Sequence, residues 1–289
     1  MTDINKPVIA NLQASQSGQK AIDLLATTGL SRQRLKDALN KGAVWWRHKG
    51  KTLRLRRATQ LLDKGTLLQL FYDPEILSRT VEAPQLIDSK RSYSVWYKPH
   101  GVLSQGSQWG DHCSLLRFAE LQPPRRPCYL VHRLDVDAAG LIVIAHTPHA
   151  AAHLSALFQN GHLDKQYQAR VEGLFPLSPQ EVIFDQPLDG KSATTRATGV
   201  NHDPSGATSL LQIKIETGRK HQIRRHLSMA GFPIAGDRLY GSRHPGELQL
   251  LAWRLAFQCP ENGTLRVYQL PDSLQFFVAR DDLFPPGDK

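Results

Sequence analysis

VHRLDVDAAGLIVIA (131–145) sets two strand-like ends around a charged middle. Leu141 to Ala145 is apolar and β-branched, and Tyr129 to Val131 leads in the same way. Between them stand His132, Arg133, Asp135 and Asp137, four ionisable residues within six positions. Charges beside two strands are costly to bury unless they are paired or used. A tight hairpin needs neither an arginine nor a carboxylate there, so the stretch reads as part of a cleft.

The rest of the chain sets the context for that cleft. Its 289 residues are enough for two domains, and 40% hydrophobic residues can fill a core. There are 36 Lys and Arg against 26 Asp and Glu, a net charge of +10. Residues 1–80 hold 14 of the basic and 6 of the acidic residues, so +8 of the +10 lies there. Such a bias favours an anionic partner, most simply nucleic acid. The three cysteines, Cys113, Cys128 and Cys259, form no CxxC pair, which argues against a disulfide framework and suits the cytoplasm. MTDINKPVIANLQ lacks the apolar run of a signal peptide, and no later stretch approaches a membrane span.

Residues 1–17 are polar and read as a loosely ordered tail. Gln19 to Thr27 reads as a short helix stopped by Gly29. Ser31 then caps a second helix, RQRLKDALNKG, with Leu35 and Leu39 facing inward. AVWWRHKGKTLRLRR follows as a hairpin turning near Gly50, then LLDKGTLLQLFY as a strand pair or meander. Between Arg47 and Arg57 lie six basic residues and no acid. A charge run is usually a solvated face. Interleaved with Trp45 and Trp46, this one is better read as an RNA-backbone contact through Arg47, Lys49, Lys51 and Arg54. Residues 76–91 read as a linker. Beyond Ser92, strands alternate with helices near 149–160 and 220–230. No GxGxxG or GxxxxGK[ST] motif is present, so a dinucleotide or P-loop fold has no support.

Four segments carry charged or aromatic groups beside glycines: YSVWYKPHGVLSQ (93–105), VHRLDVDAAGL (131–141), KQYQARVEG (165–173) and ETGRKHQIRRHLSMAGFPIAGDRLYG (216–241). HRLD before a GL strand, KPxG upstream, KxYxAxVxG downstream and TGRxHQIRxHLxxxGxPIxGDxxYG near the end together resemble the RluA-type pseudouridine synthases. LLAWRLAFQCPENGTL (250–265) is similar to that family's closing segment. The two short helices and basic hairpin resemble the alpha-L RNA-binding module of a ribosomal small-subunit protein.

The resemblance implies an α+β protein: a tail over 1–17, an RNA-binding module over 18–75, a linker over 76–91, and a catalytic domain over 92–289. The catalytic domain would be a mixed, mainly antiparallel sheet with flanking helices. It further implies isomerisation of uridine to pseudouridine in structured ribosomal or transfer RNA, with no cofactor and no metal, by a cytoplasmic monomer. The family's catalytic aspartate falls on Asp135, its active-site tyrosine on Tyr167, and the arginine that pairs with the aspartate on Arg224. Arg133 matches the arginine that replaces the flipped base in the RNA stack. His132, Lys98, Arg219 and His221 are further expected RNA contacts. These roles are physically coherent, since a guanidinium favours the ionised carboxylate and a planar arginine can fill the gap left by an unstacked base.

The chain departs from the family pattern at Ala138-Ala139, where Thr-Ser is usual, and at Leu251, where histidine is common. A non-catalytic RNA-binding or ribosome-assembly factor on the same scaffold is the alternative reading, opposed by the joint presence of Asp135, Tyr167 and Arg224. His146, His149 and His153 have metal-like spacing but no HExxH glutamate, so a metal-dependent hydrolase is disfavoured.

Overall fold

The computed structural model describes residues 6–161, 163–204 and 206–275. By internal packing the chain divides into two compact units: residues up to 81 together with 103–125, and residues 82–102 together with 126 onward.

The first unit opens with β1 (Val8–Gln13), β2 (Gln19–Lys20), α1 (Ala21–Leu25) and α2 (Arg32–Asn40). The hairpin β3 (Val44–His48) and β4 (Lys51–Arg54) follows, then β5 (Leu61–Leu62), β6 (Leu67–Tyr72) and α3 (Pro74–Ser78). α4 (Leu115–Leu121) completes the unit. The Ser31 side chain accepts from the Arg34 N–H and so caps α2, as its position predicts. Leu35 and Leu39 are fully buried against Ile22, Leu25, Val44, Leu68 and Leu70. Lys49 and Gly50 both adopt positive φ, 48° and 75°, the two-residue turn whose twist suits a hairpin.

Three expectations for this region fail. Val8–Gln13 is no loose tail: it pairs antiparallel with β6 along its whole length, in the sheet order β1-β6-β3-β4. The part of the expected tail at residues 1–5 lies outside the described residues. β5 does not pair with β6 but with β2. Residues 76–91 are not a plain linker, because they include the end of α3 and strand β7 (Gln85–Ser89).

Residues 103–125, expected within the catalytic domain, pack in the first unit. There Asp111 receives Arg54 Nε at 3.1 Å and also pairs with Arg56. Arg54 stacks over the Trp45 ring at 4.2 Å and donates to the Ser107 carbonyl at 2.7 Å. Trp45 Nε1 donates to the Gln108 carbonyl. Arg54 is therefore withdrawn from the exposed basic run, whereas Arg47, Lys49, Lys51 and Arg57 remain on the surface.

The second unit is built on a ten-stranded sheet. Its strands are β7, β8 (Tyr93–Lys98), β9 (Tyr129–Leu130), β10 (Ala139–Ala145), β11 (Asp164–Glu172), β12 (Glu181–Phe184), β13 (Thr195–His202), β14 (Thr208–Ile215), β15 (Leu250–Gln258) and β16 (Leu265–Gln269). The order runs β12-β13-β14-β11-β15-β10-β8-β7, with β16 beside β15 and β9 beside β10. Every pairing among the described strands is antiparallel except β10 with β15. The mixed, mainly antiparallel sheet is thus present, flanked by α5 (Pro148–Asn160) and α6 (Gln222–Met229). β8 and β10 are buried along their full length, which explains their unbroken apolar runs. Gly140 holds φ at 129°, and a Cβ there would collide with the Ala252 backbone. The glycine of the GL strand therefore lets β10 approach β15 closely, just where the charged loop ends.

Candidate active site

Residues 131–138 bridge β9 and β10, with Leu134 and Ala138 buried and Arg133, Val136 and Asp137 exposed. His132 turns in: its Nε2 accepts the Val143 N–H at 3.0 Å, and its ring stacks on Phe158 at 3.9 Å. It takes the place of a strand partner for β10 beyond the short β9 pairing. Burial, reinforced by the Lys165 charge, pushes this imidazole down to about 3. A neutral ring whose acceptor nitrogen is occupied by backbone braces the loop; the expected RNA contact at His132 is corrected. Arg133 points out and is exposed, Leu134 is buried, and Asp135 sits at the boundary with its side chain 27% exposed.

Two groups, one on α6 and one at its start, meet Asp135. Arg224 Nη1 lies 3.4 Å from one carboxylate oxygen, and His221 Nε2 lies 3.7 Å from the other. Asp137 is 3.8 Å from the same Arg224 nitrogen. The two-pronged grip of Arg224 falls on a different acid. Arg224 Nε and Nη2 each donate at 2.8 Å to the two oxygens of Asp237, a carboxylate with no exposed side-chain surface. Asp237 also accepts the Leu239 and Tyr240 N–H groups. Burial alone would lower the Arg224 guanidinium, but the hydrogen bonds and charge of Asp237, then Asp135, outweigh it and raise it. One arginine is thus fixed by one acid and presents its remaining arm to another. The face of Arg224 lies over Tyr240, 5.2 Å from the ring centre.

α6 is itself held tightly. Gln222 accepts from the Thr217 hydroxyl and the Arg219 N–H, and donates to the Thr194 carbonyl and the Thr195 hydroxyl. His221 enters the helix at φ 53°, a left-handed conformation costing a non-glycine residue about 1–2 kcal/mol. Its Nδ1 meets the Tyr240 hydroxyl at 2.9 Å, so the strained residue is tied at both ring nitrogens. That placement makes His221 a neighbour of Asp135. Arg219 is half-buried and donates to the Ser192 carbonyl.

Tyr167 enters from β11. The register between β11 and β15 slips there, Gln166 facing Arg254 and Tyr167 facing Ala252, so a bulge at Trp253 re-aims the side chain. Burial pushes the Tyr167 phenol well above its ordinary value, and the Asp135 charge adds to the shift. Tyr167 therefore remains a protonated donor at neutral pH. Lys98, expected to touch RNA, has no exposed surface. Its Nζ donates to the carbonyls of Pro99, Val102 and Val136. A cleft of about 290 Å³ opens on the Arg224 and Asp137 side, lined also by His100, Gly101, Arg238 and Leu248 among others.

Sequence reading missed Asp237, Tyr240 and Gln222 as site residues. The signal was present, since all three lie within the 216–241 motif. The two departures from the family pattern meet each other: Ala139 is the register partner of Leu251, and both are fully buried. The loop base therefore rests on an apolar contact, with the Ala138 N–H closing onto the Asp135 carbonyl. His146 is buried between the Ser94 hydroxyl and the Pro127 carbonyl, whereas His149 is exposed and His153, half-buried, meets the Gln258 carbonyl. Among the described residues, no three His, Cys, Asp or Glu side chains are grouped to hold a metal ion.

Residues 92–229 match the family model described as RNA pseudouridylate synthase. The chain is 31% identical over 285 residues to an uncharacterized RNA pseudouridine synthase of Chloroflexus aurantiacus, covering 88% of this chain and 87% of that protein. It is 37% identical over 188 residues to the dual-specificity RNA pseudouridine synthase RluA of Yersinia pestis, covering 58% of this chain and 88% of that one. The chain belongs to the RluA-type RNA pseudouridine synthase family. A solved structure of human RNA pseudouridylate synthase domain containing 1 overlaps 67% of this RluA-type chain and 85% of its own, with a TM-score of 0.56 at 22% identity. That likeness shows a shared fold. Against other curated relatives the chain spans about half their length, 54% of one and 51% of another. The synthase family segment contains Asp135, Tyr167 and Arg224 but stops short of Asp237 and Tyr240.

Proposed function

We propose that this RluA-type chain isomerises uridine to pseudouridine in structured RNA, ribosomal or transfer. The observation that carries the reading is a partly exposed carboxylate, Asp135, set against the remaining arm of a buried arginine whose other two nitrogens are committed to Asp237. In the reaction the bond from uracil N1 to the ribose C1′ breaks, a bond from C5 to C1′ forms, C5 gives up its hydrogen as a proton, and N1 gains one. No electron or atom is exchanged with a cofactor, so the chemistry asks for an ionised carboxylate and a dry pocket. The position of Asp135 serves either attack on the sugar or proton removal. Arg224 holds the carboxylate in place, Tyr167 stacks on the extracted base and donates its hydroxyl, and exposed Arg133 fills the vacancy in the RNA stack. We expect a monomer working in the cytoplasm; no helix among the described residues is long and apolar enough to cross a membrane.

Mapping pseudouridines across total RNA from cells with and without the chain tests this reading. At least one site should vanish without it and return with the wild-type gene. An unchanged map would contradict the proposal.

The first unit supplies affinity in this reading. Arg47, Lys49, Lys51 and Arg57 are exposed, and Trp46 stacks on His48 at 4.5 Å on the same hairpin. Each phosphate contact contributes about 0.7 to the salt slope on single strands. Replacing the four basic residues with Gln should flatten log K against log salt by roughly 3 if all four touch phosphates. Titrating RNA into the full-length variant and wild type at several salt concentrations checks this. An unaltered slope would make the run a solvated face.

A further inference from the structure

The cleft beside Arg224 has neither Asp135 nor Tyr167 among its walls. On the isomerase reading the extracted uracil sits against those two residues, so the cleft is left for another part of the RNA. Arg224 is the shared wall, since it lines the cleft and also holds Asp135 at 3.4 Å. The segment 236–248 supplies Arg238, Leu239, Glu247 and Leu248, and it is pinned at both ends and in the middle. Gly236 packs so closely on the Glu247 carbonyl that a Cβ there would collide with it. The Gln249 N–H donates to the Ala235 carbonyl at 2.9 Å, closing the base of the loop. One Glu172 oxygen accepts the Ser242 hydroxyl at 2.6 Å and the Arg243 and His244 N–H groups at 2.7 and 2.9 Å. Side chains on a loop so held lose little freedom when they take up a ligand.

The polar groups of the cleft carry both signs. Arg238 is exposed and meets no acid among the described residues, whereas Arg224 and Arg225 each grip a carboxylate with two nitrogens. An unpaired guanidinium alone would suit a phosphate. Asp137 and Glu247, both exposed, line the same cleft and repel one. Glu247 Oε2 lies 3.9 Å from His100 Nε2, and that ring is fixed through Nδ1 on the Asp137 carbonyl at 2.5 Å. A ligand that answers both signs offers donors on one edge and acceptors on the next. Guanine does so: its N1–H and N2 amino group suit a carboxylate, and its O6 and N7 suit the fork of an arginine. No other RNA base carries two adjacent donor groups. Exposed Leu239 and buried Leu248 give the ring apolar contact, and nothing stands within 4 Å of where a Gly246 Cβ would be.

We propose that this cleft is a guanine-reading subsite: Glu247 takes the N1–H and N2 amino edge, and Arg238 takes O6 and N7, of a guanosine close to the target uridine. Naming that guanosine a neighbour of the target rests on the isomerase reading, while the subsite itself rests on the walls of the cleft. It gives the chain a direct means of choosing one uridine among many, separate from the chemistry at Asp135.

The test reads binding and needs no turnover. The full-length chain selects from a pool of stem–loop RNAs whose loop holds one uridine with randomised positions on both sides. Wild type should enrich guanine at one fixed position relative to that uridine. Inosine at this position, lacking the N2 amino group, should weaken binding roughly tenfold, and 7-deazaguanine, lacking N7, should do the same. Glu247→Ala should erase the inosine penalty and Arg238→Ala the 7-deazaguanine penalty, each with the thermal midpoint of wild type because both side chains are exposed. No enriched base, a different enriched base, or guanine enriched equally by both variants would overturn the subsite. So would an Arg238→Ala that binds every sequence more weakly to the same degree with a shallower salt slope, the mark of a phosphate contact. Selected RNA that keeps the guanine preference yet is never converted would leave the subsite standing and overturn the isomerase reading instead.

Discussion

Asp135→Asn should abolish pseudouridine formation, by roughly 10⁴-fold or more, while leaving RNA affinity little changed. Asparagine nearly preserves the volume and can still accept from Arg224 Nη1, now 3.4 Å from the carboxylate. It cannot carry the negative charge that either chemical route requires. Asp137 is no substitute, being 57% exposed and farther from Arg224, at 3.8 Å. Single-turnover conversion of a short RNA, read by chemical labelling of pseudouridine, separates the chemical step from binding. Turnover in Asp135→Asn comparable to wild type would remove Asp135 from the reaction.

The second large effect is expected at Arg224. Lysine offers one nitrogen where arginine offers three, already divided between Asp237 and Asp135. Arg224→Lys can serve one acid only. If it stays with Asp237, Asp135 loses its cation, and kcat should fall by about 10²-fold or more. If it swings to Asp135, the fully buried Asp237 is left unpaired, at a cost of about 3–5 kcal/mol. Both measurements are needed: kcat on saturating RNA, and the denaturant midpoint of the free protein. Asp237→Asn should reproduce the stability loss more than the chemical loss, since it loosens the anchor and leaves the arm. A variant Arg224→Lys with wild-type kcat and midpoint would show that neither acid depends on the fork.

The motif around Asp135 made much of the site legible in the sequence, because HRLD, KxYxAxVxG and HQIRxH each tie a side chain to a strand end or helix start. What could not be read was the partnership. Asp237 lies 13 residues beyond Arg224 and meets it only because the chain turns back after α6. His132 and Lys98 were expected to meet RNA, yet the fold uses one as a strand partner and buries the other against three backbone carbonyls; both choices depend on burial that local sequence does not reveal. The tail was misread for a different reason. VIANLQ alternates, with Val8, Ala10 and Leu12 packed on the core, but six residues amid polar neighbours were too short a signal without β6 in view. Residues 103–125 defeated the domain boundary because the link is tertiary. Asp111 pairs with Arg54 and Arg56, more than 50 positions away, and nothing in GSQWGD announces it. A fragment beginning at Ser92 would therefore strand Asp111 without the two arginines it pairs with.

Hydrogen loss from uracil C5 is the step that no RNA-binding role can imitate. The most direct measurement is release of tritium from RNA labelled at C5 of uridine, incubated with the purified full-length chain in the presence of EDTA and no added cofactor. Release into water matched one for one by pseudouridine, and absent with Asp135→Asn, is the result this account predicts. An RNA that binds tightly yet keeps all its tritium would contradict it.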